Sequence, residues 1–424
     1  MQQKDSLSSA EELRAWLRLA HTDGIGPIRG RTLLQRLGPP QDILDAGPAR
    51  VAEILQSNQL AGALFQRDPV REMATSQALQ WRRGGGAQQW ADPDIPRHIL
   101  LLHHPAYPPR LLDLADPPLL LYCAGDPAWL DQLQIGIVGS RNATAIGART
   151  SWEFGHALAA GGCTVVSGLA EGIDRAAHEG ALTAPGGSTV AVLGTGIDRI
   201  YPSRHRPLAR RVAAQGALIS EQPLGMPPLQ ANFPRRNRLI AALARGILVV
   251  EANPRSGSLI TARLAAELGR EVMAVPGSIH SPLARGCNSL IRQGAKLVES
   301  ADDVLTEIPG LSPLRLRSVP EPGRIPPAST DDPGPGPETG DGMDPAPGLL
   351  GEDESGAAIL PAEQTRMLTA MSADPVMLET LALQQGLPLS RALAALQMLE
   401  LDGLVQRQLD GSYVRARLPA VRLL

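Results

Sequence analysis

Cysteine, aromatic residues and long apolar runs are all scarce in this chain of 424 residues. Its three cysteines, Cys123, Cys163 and Cys287, stand far apart, with no C-x-x-C pair and no histidine at metal-ligand spacing. No metal site is therefore expected, and Cys163, at the head of an apolar run, reads as core. No stretch approaches the roughly 18 consecutive apolar residues that a membrane span needs. Met1–Ala10 is polar, without the basic-then-apolar order of a secretory signal, so the expected compartment is the cytoplasm, away from the membrane. Enzyme signatures are missing too: there is no G-x-S-x-G elbow, no Walker lysine after a glycine loop and no H-E-x-x-H helix. Neither covalent catalysis nor a cofactor is expected. A net charge of −3 argues against uniform coating of nucleic acid, but says nothing of where the charge lies.

What is present divides into domains. With 43% hydrophobic and 20% charged residues the composition is that of a globular protein, and the length predicts two or three cores. Residues 1–75 read as a helical module. Leu13, Trp16, Leu17 and Ala20 fall at helical spacing before a Gly24–Pro27 turn, and a helix over Arg29–Leu37 follows. That order suits a helix-hairpin-helix, whose turn amides can hold a phosphate, and equally an ordinary turn in a small bundle. Residues 76–99 read as a connector, with Leu119–Tyr122 as a short strand beyond it.

Residues 100–308 alternate short apolar runs with helical ones. The expected strands are Ile135–Val138, Cys163–Ser167, Thr189–Leu193, Ala217–Ser220, Ile247–Glu251, Glu271–Val275 and Lys296–Val298. Continuous hydrophobicity in such runs implies burial on both faces, hence an α/β fold: a Rossmann-like, doubly wound, mostly parallel sheet. Residues 309–358, rich in Pro and Gly, read as a disordered linker that buries too little to offset its ordering entropy. Residues 359–424 then read as three helices and a hairpin turning at Asp410-Gly411, a winged helix.

In an open parallel sheet the informative residues follow the strands. Gly139-Ser140-Arg141-Asn142 follows the first, before a helix whose amino end and Arg141 suit an anion. A dinucleotide site is disfavoured, because the loop lacks G-x-G-x-x-G and the second strand ends in Ser167-Gly168 rather than a carboxylate. Asp174 reads as a helix cap or as the orienter of a basic neighbour. Glycine loops at 168–172 and 194–196 predict a shelf of exposed amides that suits a chain of phosphates. Arg199, Arg204, Arg206, Arg210 and Arg211 read as a solvated face. Phe233-Pro234-Arg235-Arg236-Asn237-Arg238 is different: one of only three phenylalanines precedes three arginines in a polar loop. An aromatic beside guanidinium groups suits stacking on unpaired bases, and plugging the sheet edge is the alternative. Ser256 and Ser258 read as caps or phosphate donors at a helix start.

Together, Gly139-Ser140-Arg141, Ser167-Gly168 through Asp174, Phe233–Arg238, Ser256-Gly257-Ser258 with Thr261-Ala262, and Pro276-Gly277 resemble the DNA-processing protein A family, DprA or Smf, in order and spacing. The resemblance implies single-stranded DNA binding, protection of incoming DNA, a homodimer through the Rossmann-like domain, and loading of the RecA recombinase in natural transformation and homologous recombination. It assigns DNA contact to Ser140, Arg141, Phe233, Arg235, Arg236 and Arg238, with Ser167, Gly168 and Asp174 shaping the pocket; Asn237, Ser256 and Ser258 complete the expected site. It also offers a sterile-alpha-motif-like label for the N-terminal module. His205 departs from the family's usual asparagine after Tyr201-Pro202. The competing class is a nucleotide-processing enzyme of phosphoribohydrolase type, whose P-G-G-x-G-T loop is only partly matched by Pro185-Gly186-Gly187-Ser188-Thr189. The helix expected over Ser390–Leu401 is mostly apolar, which points to protein contacts rather than groove reading, with Arg407, Arg415 and Arg417 as weaker DNA candidates.

Overall fold

The computed structural model describes residues 10–85 and 94–308, and in the C-terminal part residues 371, 378–385, 387, 392, 395–396, 399, 405–407 and 412–415. The chain divides into two compact units, one ending at Arg324 and one beginning at Ile325.

The first unit opens with six helices: α1 (Ala10–Ala20), α2 (Pro27–Leu37), α3 (Pro40–Asp45), α4 (Gly47–Leu55), α5 (Asn58–Phe65) and α6 (Pro69–Arg82). Side-chain caps set two of their starts. Ser57 accepts from the Leu60 amide, and Asp68 accepts from Val70 and Arg71. A nine-stranded sheet follows, from β1 (Arg97–Leu101), β2 (Leu120–Gly125), β3 (Gln134–Val138), β4 (Thr164–Ser167), β5 (Ser188–Val192), β6 (Ala217–Ser220), β7 (Gly246–Val249), β8 (Glu271–Ala274) and β9 (Lys296–Leu297). The order is β1-β2-β6-β5-β4-β3-β7-β8-β9, with the first two pairings antiparallel and the others parallel. The seven strands expected after residue 134 are all present.

Alternation along β3 shows why both faces are apolar. Ile135 and Ile137 enter one core with Phe154 and Leu158 of α7 (Ala145–Ala160) and Ala177 of α8 (Ile173–Ala181). Val138 enters the other core, with Leu239 of α10 (Asn232–Leu243) and Ala262 of α11 (Gly257–Glu267). Helix α9 (Arg206–Gln215) lies against β5 and β6, α12 (Arg285–Arg292) against β8, and α13 (Ala301–Glu307) packs against α7.

Three expectations change. The residues expected as a connector, 76–99, hold the end of α6 and the start of the edge strand β1, which the Gly- and Pro-rich surroundings obscured. The helical module is not an isolated body: Trp16, Leu33 and Trp81 share one core with Ile99, Leu120 and Tyr122 of the sheet. Tyr122 Oη lies 3.2 Å from His21 Nε2, and the Trp81 and Tyr122 rings meet edge-on at 5.7 Å. Finally, Phe233–Arg238 lies within α10 rather than in a loop.

In the second unit, α14 (Leu378–Gln385) and an antiparallel hairpin of β10 (Val405–Arg407) and β11 (Tyr413–Arg415) enclose a small core with Leu381, Leu396, Val405 and Tyr413. The expected linker, the hairpin turn, Arg417 and most of Ser390–Leu401 lie outside the described residues.

Candidate nucleic-acid interface

β3 and β7 are neighbours in the parallel part of the sheet, and the strand order runs outward from them in both directions. A crevice is expected outside their carboxyl ends, and a cleft of about 580 Å3 opens there. Ser140, Arg141, Asp174, Phe233, Arg236, Asn237, Ser256 and Ser258 all line it. Eight of the twelve expected residues thus converge, although they come from β3, α8, α10 and α11.

The helix decides how the arginine cluster divides. Phe233, Arg236, Asn237 and Ile240, spaced i, i+3, i+4 and i+7, share the face of α10 that lines the cleft. Arg235 is exposed on another face and lines a separate cleft against the N-terminal module. Arg238 is buried, paired with Glu221 and with Asp116 at 3.3 Å, so its charge is already engaged. Arg236, 4% exposed, donates to the carbonyls of Gly168 and Val192. Burial lowers its pKa to about 10, with Asp174 opposing the shift and Arg141 adding to it.

Ser167 is not at the surface: its hydroxyl donates to Ile137 O at 2.6 Å. Gly168 lies beneath Arg236, whose Nη1 would stand 2.4 Å from an added Cβ. Asp174, buried, accepts from the amides of Gly168 and Ala170 at 3.1 and 3.4 Å. Burial raises its pKa, against the pull of Arg236, those two amides and Arg141. The helix-cap reading fails, since the N-cap of α8 is Gly172 and no side chain caps it; Asp174 instead orders the loop ahead of the helix and faces a basic neighbour, Arg236.

The expected shelf of free amides is largely absent. Glu251, at the end of β7, accepts from Thr144 N at 2.9 Å and Thr144 Oγ1 at 2.6 Å. Its carboxylate packs on the first turn of α7 so closely that a Cβ on Gly147 would lie 2.2 Å from Glu251 Cδ. The helix end where an anion was expected therefore holds the protein's own anion. Asp174 occupies the second glycine loop, and in the third Gly196 N donates to Met226 O while Asp198 accepts from Gly225 N. Glycine spacing reveals a tight turn, but not which acceptor its amides have found.

The positive and aromatic groups remain exposed to a ligand. Arg141 is exposed, with Cζ 5.3 Å from the centroid of the half-buried Phe233 ring. Tyr201, 49% exposed, stands 5.7 Å from Phe233 on the other loop. Tyr201 was not among the expected residues, though an aromatic in a chain with so few, beside a loop following β5, carries the same signal as Phe233. Ser256 caps α11, accepting from Ser258 N, and the two hydroxyls are 2.7 Å apart. Arg199, Arg204, Arg206, Arg210 and Arg211 do not line the cleft. Buried His205 instead secures the 168–172 loop, with Nδ1 2.9 Å from Leu169 O and Nε2 2.9 Å from Glu171 Oε1.

Among known families, the model described as DNA recombination-mediator protein A matches residues 98–309, half of the chain, and that of the DprA winged helix domain matches residues 352–411. The chain belongs to the DprA family. Protein Smf of Escherichia coli is 48% identical over 212 residues, which are 50% of this chain and 56% of that protein. Protein Smf of Synechocystis is 36% identical over 308 residues, 70% of this chain and 73% of that one. The X-ray structure of DprA from Streptococcus pneumoniae superposes with a TM-score of 0.59 at 34% identity, covering 70% of this chain and 96% of that one. The DprA fold accounts for the sheet and the crevice together, and the winged-helix match begins within the stretch read as linker. Among the described residues no helix is long and apolar enough to cross a membrane, and no three His, Cys, Asp or Glu side chains gather as metal ligands.

Proposed function

We propose that this DprA-family chain binds single-stranded DNA, without sequence preference, in the crevice between β3 and β7, and does no covalent chemistry there. The observation that carries the reading is the exposed Arg141 guanidinium over the Phe233 ring, with Tyr201 beside it, at the mouth of a cleft floored by a buried arginine. Guanidinium groups meet phosphates, and the two rings meet bases that are free to unstack. Of the twelve residues first expected at the site, Ser140, Arg141, Phe233, Asn237, Ser256 and Ser258 are proposed to touch DNA. Asp174, Gly168, Ser167 and Arg236 hold the cleft in shape, Arg238 braces α10, and Arg235 serves a neighbouring surface.

Glu251 weakens the case for nucleotide processing, since it occupies the helix end on which a mononucleotide phosphate would rest. In the cell, the reading extends to protection of incoming DNA and loading of the RecA recombinase during transformation and recombination, in the cytoplasm, by a homodimer formed through the Rossmann-like domain. The edge strand β9, with Leu297 51% exposed, and Ile279, 76% exposed, supports such a dimer. The winged helix is proposed to contact protein.

Fluorescence anisotropy of single- and double-stranded oligonucleotides at several salt concentrations tests the core of this. Log affinity for the single strand should fall with log salt by about 0.7 per phosphate contacted, and Arg141→Ala should weaken all sequences alike. Equal binding of duplex and single strand, or release of free base from a nucleoside monophosphate, would overturn it. Coprecipitation of RecA with the full chain and with one ending at Ile308 tests the recombinase contact, and sedimentation tests the dimer.

A further inference from the structure

We propose that the N-terminal helical module carries a second DNA-backbone site, a basic pocket between α1 and α6 that takes phosphates of the same strand held at the crevice. This rests on the single-strand reading above. The pocket, about 450 Å3, is lined by Arg14 and Arg18 from α1, by Arg67 just before α6 and by Arg71 in its first turn. Arg14 and Arg18, spaced i, i+4 on α1, present two like charges on one side, an arrangement that is unfavourable without an anion; Arg67 precedes the N-cap of α6 and joins Arg71 at the pocket by the turn of the chain. Four guanidinium groups face a single carboxylate, Glu72, which is 54% exposed and pairs with Arg67 at 3.2 Å.

The inner two arginines are held in place without being neutralised. Arg18 donates to the carbonyls of Leu64 at 2.8 Å and Phe65 at 2.9 Å. Arg71, 7% exposed, donates to Thr22 Oγ1, Ala63 O and Gln66 O at 3.0, 2.8 and 2.5 Å. Among the described residues neither forms an ion pair. Burial, and next the charge of Arg71, lower the pKa of Arg18, with Glu72 opposing the shift, as fits two neighbouring cations that one shared carboxylate does not fully offset. Fixed guanidinium forks with the Thr75 and Ser76 side chains at the wall suit the tetrahedral oxygens of a phosphodiester.

Continuity with the crevice selects a DNA strand as the occupant. Arg71 also lines the adjoining cleft of about 400 Å3 between the module and the sheet, where the opposite wall includes Arg235. Arg235 is two residues from Phe233 on α10. A strand leaving Phe233 thus meets Arg235, then Arg71, then the outer arginines. Of the carboxylates in the middle cleft, Asp68 is engaged in capping α6 and Glu221 in pairing with Arg238, which leaves Asp23.

The test is Arg14→Gln/Arg67→Gln in the full chain, both positions being exposed and outside the folded core. Oligonucleotides of about 6 and about 20 nucleotides span one site or both. The short one should bind parent and variant alike. With the long one the variant's salt slope should fall by about 1.4, two contacts at about 0.7 each, so the parent loses about sevenfold more affinity than the variant between about 50 and 200 mM salt. Unchanged slope and affinity with the long oligonucleotide would overturn the second site. So would a loss seen only in binding of a polyglutamate peptide, which would assign the pocket to acidic protein. Failure of Arg141→Ala to weaken the short oligonucleotide would instead overturn the crevice reading itself.

Discussion

Phe233→Ala and Arg141→Ala, separately and together, separate stacking from charge at the crevice. Arg141 Cζ lies 5.3 Å from the Phe233 centroid, within cation–π range, and Tyr201 lies 5.7 Å away across the mouth. A base stacked on Phe233 contributes about 1 to 3 kcal/mol, so removing the ring should weaken single-strand binding by about 5- to 150-fold. It should leave the salt slope unchanged, because no phosphate contact is lost. Arg141→Ala should do the reverse, lowering the slope by about 0.7. The guanidinium covers part of the ring, and that contact is worth about 0.5 to 1 kcal/mol at an exposed site. If the base stacks on the free face, the contact persists in the complex, and the double variant should show a coupling of that size. If the base displaces Arg141, the coupling should approach zero while both single losses remain. Anisotropy titrations of one oligonucleotide at four or more salt concentrations yield slope and intercept together. A Phe233→Ala variant that binds like the parent, or that changes slope without intercept, would refute the assignment of this ring to a base.

Acid stability should depend on His178. Its Nε2 accepts from Leu169 N at 3.3 Å and its Nδ1 faces Thr189 Oγ1 at 2.7 Å, with Thr189 in turn donating to Val165 O. Burial lowers its pKa to about 3, so the unfolded chain takes up this proton near 6.5 and the folded chain does not. Stability from this group should therefore be lost as pH falls from about 6.5 towards about 3, at about 1.4 kcal/mol per unit. Urea unfolding at several pH values should show a shallower dependence in His178→Gln, and a His178 proton resonance titrating near 6.5 would contradict the argument. Gly172, at φ 73°, leaves no room for a side chain: an added Cβ would lie 2.3 Å from Ser140 O and 2.7 Å from Arg141 O. Gly172→Ala should cost about 1 to 3 kcal/mol and weaken DNA binding by moving Arg141; unchanged binding at reduced stability would show that the loop does not position that arginine. Glu251→Gln keeps an acceptor for Thr144 but removes the charge at the start of α7, and should lower unfolding stability by about 0.3 to 2 kcal/mol; no change in urea midpoint would mean that the helix end has little need of an anion.

Much of the architecture was legible in the chain itself. Apolar runs at 135–138, 165–166, 190–193 and 247–250 have no hydrophilic face, so they had to lie inside a parallel sheet covered on both sides. The crevice residues could also be found, because in such a sheet function gathers after the strands and an aromatic among arginines stands out. What pattern could not resolve was the use to which each charge is put. Arg235, Arg236 and Arg238 look alike in a row. The turn of α10 sends one into solvent, one onto the carbonyl of Gly168 and one onto Glu221.

The same limit applies to the glycine loops and to the N-terminal module. Glycines announce a close approach of backbone but not the acceptor that meets it: Asp174 takes the amides of Gly168 and Ala170 from the following helix, and Glu251 reaches the Thr144 amide from across the sheet. The arginines of α1 and those at and just before α6 are separated by four intervening helices and carry no motif; only packing brings them to one pocket. Local sequence determined the strands, their burial and the chemistry available at their ends, because these depend on side-chain period and residue type. Tertiary structure decided which charges are neutralised internally and which remain for a ligand, because Coulomb pairing depends on distance in space and is indifferent to distance along the chain.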